Sequence, residues 1–201
     1  MKAIALFDKQ IQGVVEFSQS DPKGHLTIRF KLSGFQSNSI HAIHIHEFGD
    51  LREGCKTLGG HFNPMNKKHS HYGRGHAGDL FNNLMSDKYG DFVYIMRTNQ
   101  LSLFYGDKCI IGRSVVIHEF ADDYGLQGLY LRESEESKPM EGVFVYYDEM
   151  DVDELRDICE KLGYDEANKT RKDMVARLNK ESIASGNASK RIACAIIGLS
   201  K

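Results

Sequence analysis

Neither charge nor apolar runs mark this chain for a membrane or a polyanion. Its 26 Lys and Arg stand against 28 Asp and Glu, and the formal charge of −2 supplies no basic excess for nucleic acid or an anionic bilayer. No apolar stretch approaches the roughly 20 residues that cross a bilayer, so no membrane partner is expected. The apolar run that begins at Met1 stops at Asp8, too early for a secretory signal, and a cytoplasmic protein is expected. Cysteine is sparse as well: there are four, and no two are spaced as a CxxC pair, which excludes a separate metal-capture motif of that kind. A length of 201 residues allows one large domain, or one domain plus a small one.

Histidine is what the chain has in quantity. Nine are present, and six of them fall into an ordered series: His44-Ile45-His46, then His61, His69, His76 with Asp79, and His118. Alternate residues of a strand point to one face, so His44 and His46 can grip one ion if residues 42–47 are extended. His44, His46, His61 and His118 then form a nitrogen-only set of the kind that suits copper. His61, His69, His76 and Asp79 offer imidazole and carboxylate groups for zinc. A histidine lying between the two sets could serve both ions, which points to metal redox chemistry. A lone histidine is more often a surface or core residue. His25 and His71 need no role, and His41 can brace the strand that carries His44.

Short segments rich in β-branched and aromatic residues occur at 4–7, 13–17, 25–32, 40–47, 92–97, 101–105, 113–118 and 192–197. Eight strand-like segments with no helical pattern between them predict an all-β fold, an immunoglobulin-like sandwich or Greek-key barrel. Residues 47–81 are too polar and glycine-rich for regular structure, and a loop of that length is expected to be functional.

Helical spacing appears only late. Asp151 with Glu154 makes a capping box, Val152, Leu155, Ile158 and Leu162 recur on one face, and Gly163 supplies the stop. A second helix is expected from Thr170, capped with Asp173, with Met174, Val175 and Leu178 on its apolar face.

Five stretches make the chain recognisable: residues 41–50, 60–64, 76–80, 109–123 and 186–194. They include His41-Ala42-Ile43-His44-Ile45-His46, Gly60-His61-Phe62-Asn63-Pro64, His76-Ala77-Gly78-Asp79-Leu80 and Gly186-Asn187-Ala188-Ser189-Lys190-Arg191. The chain closely resembles the copper/zinc superoxide dismutases. The resemblance implies an eight-stranded Greek-key β-barrel with a small two-helix insertion, and conversion of two superoxide anions to oxygen and hydrogen peroxide by Cu(II)/Cu(I) cycling at a histidine-bridged site. It assigns copper to His44, His46, His61 and His118, and zinc to His61, His69, His76 and Asp79. Catalytic roles fall to His61, as the bridge, and Arg191, which attracts the anion. Asp122 would link His44 to His69 from behind, and Cys55 would be disulfide-bonded to Cys194. Cys109 and Cys159 lie outside that pairing. A homodimer and a copper chaperone are the implied protein partners.

Besides Ser189, which replaces a common glycine beside the channel, the chain departs from the family in two places. Six residues separate His69 from His76, fewer than in many members, which makes His71 a candidate substitute ligand. The loop after Tyr124 is also longer, by about fifty residues. Its charged part at 135–138 resembles the family's electrostatic loop, so the expected division is a barrel of residues 1–138 plus 185–201 and an inserted segment of 139–184. The two helices of that segment resemble the SAP motif, which often binds DNA. Residues 139–184 carry seven Lys or Arg and twelve Asp or Glu, a net of 7 − 12 = −5, which weighs against nucleic acid. A non-enzymatic copper carrier on the same scaffold is the rival reading; an absent copper histidine or channel arginine would favour it.

Overall fold

Period-two alternation builds the core. In a computed structural model describing residues 1–131, 143–165 and 168–201, strand β1 (Lys2–Asp8) turns Ala3, Ala5 and Phe7 inward, and β2 (Gln12–Ser18) contributes Val15 and Phe17. Strand β3 (Leu26–Ser33) buries every second residue, Leu26, Ile28, Phe30 and Leu32. Ile43 and Ile45 of β4 (Ile40–His46), with Val115 and Ile117 of β7 (Ser114–His118), close the same core from the other side. Burying each such branched side chain contributes roughly 1.5–3 kcal/mol.

The remaining strands are β5 (Asn83–Met85), β6 (Phe92–Thr98), β8 (Gly128–Leu131), β9 (Val143–Tyr146), β10 (Arg191–Ile196) and β11 (Gly198–Leu199). They do not close into the expected eight-stranded barrel. Among the described residues there are three open sheets: a five-stranded one ordered β11-β1-β2-β3-β6, a four-stranded one ordered β10-β7-β4-β5, and the hairpin β8-β9. Every pairing within these three sheets is antiparallel. The two larger sheets share their core as a sandwich and keep their edges.

One physical reason for the difference lies at residues 101–105. Leu101 and Leu103 are buried as alternation predicts, but this backbone joins no sheet and makes only an isolated parallel bridge between Ser102 and Cys109. The Leu103 amide and the Ser102 hydroxyl donate instead to Gln19 Oε1, at 2.8 and 3.1 Å. One side chain and one bridge stand where a ladder would run.

The helices follow their caps. In α1 (Val152–Leu162), the Asp151 side chain accepts from the Asp153 and Glu154 amides, and Gly163 ends the helix in the left-handed region. In α2 (Arg171–Ser185), Thr170 and Asp173 form the reciprocal box. Leu155, Cys159, Met174 and Leu178 pack with Tyr147 and Met150 into a second, smaller core. Val152 faces outward. The boundary expected at 138/139 and the charged stretch 135–138 lie outside the described residues. No helix among the described residues is long and apolar enough to cross a membrane.

Candidate metal centre

β4 and β7 lie side by side, with His44 opposite Val116 and His46 opposite Ser114, which brings His118 at the end of β7 toward the same face. Ile43 and Ile45 face the core, so His44 and His46 must face away from it. There the long loop of residues 47–81 covers them. His61 is locked beside His46 by the Phe62 amide donating to Ile45 O and the Glu47 amide donating to Gly60 O, at 2.8 and 2.9 Å. Gly78 lets the loop press on β4: its amide reaches Phe62 O at 2.8 Å, and an added Cβ would collide with Ile45 O. The loop is tied down at its other end by the Cys55–Cys194 disulfide to β10, across a sequence separation of 139 residues.

Two clusters result. The first joins His44, His46, His61 and His118, the second His61, His69, His76 and Asp79, and all seven residues are buried. In each imidazole of the first cluster except the shared one, the outer nitrogen has a protein partner. His46 Nδ1 lies 3.0 Å from Gly59 O, His118 Nδ1 3.1 Å from Ser189 O, and His44 Nε2 2.7 Å from Asp122 Oδ2. Because carbonyl oxygens only accept, His46 and His118 carry their protons on Nδ1 and aim bare lone pairs inward. Those two Nε2 atoms face each other at 3.3 Å. Buried Nδ1 of His44 and Nε2 of His61 have no hydrogen-bond partner. Converging lone pairs and partnerless buried nitrogens are what a cation would satisfy.

In the second cluster one oxygen, Asp79 Oδ1, lies 2.9 Å from His61 Nδ1 and 3.0 Å from both His69 Nδ1 and His76 Nδ1. His69 Nδ1 makes this approach without hydrogen-bond geometry. Zinc bonds of about 2.0–2.1 Å in a tetrahedron put ligand atoms roughly 3.3 Å apart, so this donor set fits zinc. His61 belongs to both clusters, its Nδ1 against Asp79 and its Nε2 buried without a partner. The first set, all imidazole, fits copper.

Behind the rings stands Asp122. Its Oδ2 accepts from His44 and its Oδ1 from His69 at 2.8 Å, while Asn82 and the Tyr124 amide donate to the same carboxylate. The Asn83 side chain grips the Asp122 backbone from both ends. Sequence reasoning singled out Asp122 but not Asn82, Asn83 or Gly59 O, which no local pattern distinguishes.

Electrostatics divide the two halves. Burial, reinforced by neighbouring imidazoles, pulls His61 and His118 down to about 3 and holds His46 well below its ordinary value. His44 is lowered too, burial outweighing the Asp122 carboxylate. His69 goes the other way: burial opposes its charge, but Asp122 and Asp79 outweigh it and raise the ring to about 10. Asp79 and Asp122, despite burial, are held far below the usual carboxylate range by their histidine partners.

Arg191 is half-buried at the start of β10. It donates to Cys55 O at 2.8 Å, to Lys56 O at 3.4 Å, and to Gly59 O, the acceptor it shares with His46. His71 is exposed and stacks on Tyr124 with ring centroids 4.9 Å apart, outside both clusters. His41 bridges His118 O and the Ser39 hydroxyl at 3.0 Å each.

Fold and site define a β-sandwich metalloprotein with two metal sites joined through one histidine. Residues 11–140 match the family model described as copper/zinc superoxide dismutase, and the chain belongs to that family. It is 37% identical over 132 residues to a superoxide dismutase [Cu-Zn] of Yarrowia lipolytica, covering 64% of this chain and 84% of the relative. A superoxide dismutase [Cu-Zn] of Paramecium bursaria Chlorella virus 1 is 30% identical over 204 residues, spanning 100% of this chain and 80% of its own length. Among solved structures, that of the clock protein EA4 superposes with a TM-score of 0.67 at 29% identity, covering 99% of this chain and 94% of its own.

Proposed function

We propose that this protein is an oxidoreductase that converts two superoxide anions and two protons to oxygen and hydrogen peroxide. The observation that carries this reading is His61, which belongs to both buried donor clusters. Copper would be held by His44, His46, His61 and His118, and zinc by His61, His69, His76 and Asp79. When bound, copper supplies a one-electron couple and zinc a redox-inert positive charge. His61 Nε2, partnerless inside the protein, is the atom that takes up a proton in one half-reaction and delivers it to the nascent peroxide in the other. Arg191, anchored by three loop carbonyls, keeps a permanent charge near His46 to draw in and orient the anion. Asp122 holds His44 and His69 in orientation.

The test is superoxide turnover by protein loaded with one copper and one zinc per chain, beside His118→Ala. Turnover should be copper-dependent and should fall by more than the roughly 10–100-fold typical of outer-shell changes in the variant. Full metal occupancy without turnover would replace this reading with a copper carrier.

We further propose a cytoplasmic homodimer that receives copper from a chaperone. It would pair through the face around Gly49, Ile111 and Gly198, where Ile196 is 39% exposed, and sedimentation would check it. Residues 139–184 are proposed as an inserted segment of SAP-like helical pattern. Nucleic acid is a poor partner for it: beyond the net charge, Arg171 is engaged by Met150 O and Asp148 O, and Arg177 by Glu181 and Tyr164. A salt-dependent mobility shift lost on deleting 139–184 would reverse this.

A further inference from the structure

The polar groups of the late helical region converge on one buried carboxylate, and it is the neighbour of Asp122. Asp123 Oδ1 accepts from the Ser182 hydroxyl of α2 at 2.9 Å, and Asp123 Oδ2 accepts from the Tyr147 hydroxyl at 3.0 Å and from Asn187 Nδ2 at 3.1 Å. Asn187 Nδ2 also reaches Leu178 O at 2.9 Å, and the Gln127 amide donates to Ser182 Oγ at 2.9 Å. Asp123, Tyr147, Ser182 and Asn187 are all buried, so each loses water and needs these partners.

The last turn of α2 also touches the zinc side directly. The His69 amide donates to Ile183 O at 3.1 Å, and the Asp123 amide donates to Gly186 O at 2.8 Å. Gly186 sits at φ +73°, and a Cβ there would collide with the Asp122 carboxylate and crowd His69 Nε2. Only a glycine lets the helix end lie this close to the pair that orients a metal ligand.

We propose that α2 and Tyr147 form a clamp on the metal centre, with Tyr147 and Ser182 as positioning residues that act through Asp123 on Asp122 and His69. The helical region is thereby part of the zinc site's support rather than an appendage. This rests on the zinc assignment made above. The clamp fixes the backbone next to Asp122, through the Asp123 amide on Gly186 O, and it fixes His69 through Ile183 O. Loosening it should let the His69 ring depart from the position that Asp79 and His76 require, without removing any ligand.

The test compares Tyr147→Phe and Ser182→Ala with Arg171→Gln, which releases the other end of α2 and touches none of these groups. Zinc affinity is measured by chelator competition, and the zinc position is read by the visible spectrum of bound cobalt. Both hydroxyl variants are expected to bind zinc about tenfold more weakly, with an altered cobalt band, as for losses of outer partners at other metal sites. Arg171→Gln should lower the melting temperature and leave affinity and spectrum unchanged. Hydroxyl variants that lose only melting temperature would overturn the clamp. Wild-type protein that fails to bind zinc would overturn the zinc assignment instead.

Should a variant fail to fold, hydrogen exchange on unaltered protein decides the same question, because coupling is reciprocal. Zinc should then slow exchange at the Gln127 and Tyr147 amides, which touch no ligand. Unchanged exchange there would overturn the clamp.

Discussion

The two halves of the metal centre are built on opposite principles. Three of the four imidazoles in the copper cluster ride on β4 and β7, and two are oriented by backbone carbonyls. The zinc cluster is carried by loop residues and a short 3₁₀ turn at Ala77–Asp79, and its order rests on the Asp79 and Asp122 carboxylates. The strand half is preformed by the sheet ladder. The loop half depends on cross-links, which substitute for the secondary structure it lacks.

The largest way to break this contrast is to cut the covalent link. Cys55→Ser with Cys194→Ser reopens a loop of 139 residues and should cost up to about 5 kcal/mol in denaturant unfolding by chain-entropy arithmetic. Zinc retention should suffer more than copper retention, and equal losses would show that the loop does not stand apart.

Asp122 joins the halves, so Asp122→Asn should weaken both metals together, by roughly 10–100-fold each in competition titrations. A loss confined to one metal would mean the carboxylate serves a single ring.

Removing zinc alone from the wild-type protein should expose residues 65–75 to limited proteolysis, whereas removing copper alone should not. Mass spectrometry of the fragments reads this directly, and cleavage in both cases would erase the distinction.

The smallest effect is the pH response of the metal-free protein. His61 and His118 have folded values of about 3, below the unfolded 6.5, so their contribution is present above 6.5 and is lost as pH falls toward 3. His69 is raised to about 10, so its contribution is complete below 6.5 and is lost as pH rises through 10. Denaturant midpoints should therefore decline on both sides of neutrality, and His69→Gln should remove only the alkaline decline.

Much of the local structure was legible because short-range chemistry decides it. Asp151 with Glu154 and Thr170 with Asp173 are reciprocal caps, and both helices start where those boxes stand. The alternation in β1 to β4 announces a buried face. Alternation at Leu101 and Leu103 announced burial equally well, yet it could not say that Gln19 and a lone bridge to Cys109, rather than a strand, would satisfy the backbone. The hairpin β8-β9 and the three-residue β5 were too short to signal themselves.

The sequence by itself determined the donor inventory: six ordered histidines with one aspartate, because ligand chemistry belongs to side-chain type and strand periodicity sets which of them share a face. It also determined where helices begin and end, since caps act within a few residues. Only the tertiary structure decided that the sheets stay open, that His71 turns to Tyr124 and away from the zinc cluster, and that Asp123, Tyr147 and Ser182 meet. Those outcomes depend on contacts between residues far apart in the chain. No local pattern encodes them, because the packing of whole elements selects which distant partner a backbone or carboxylate finds.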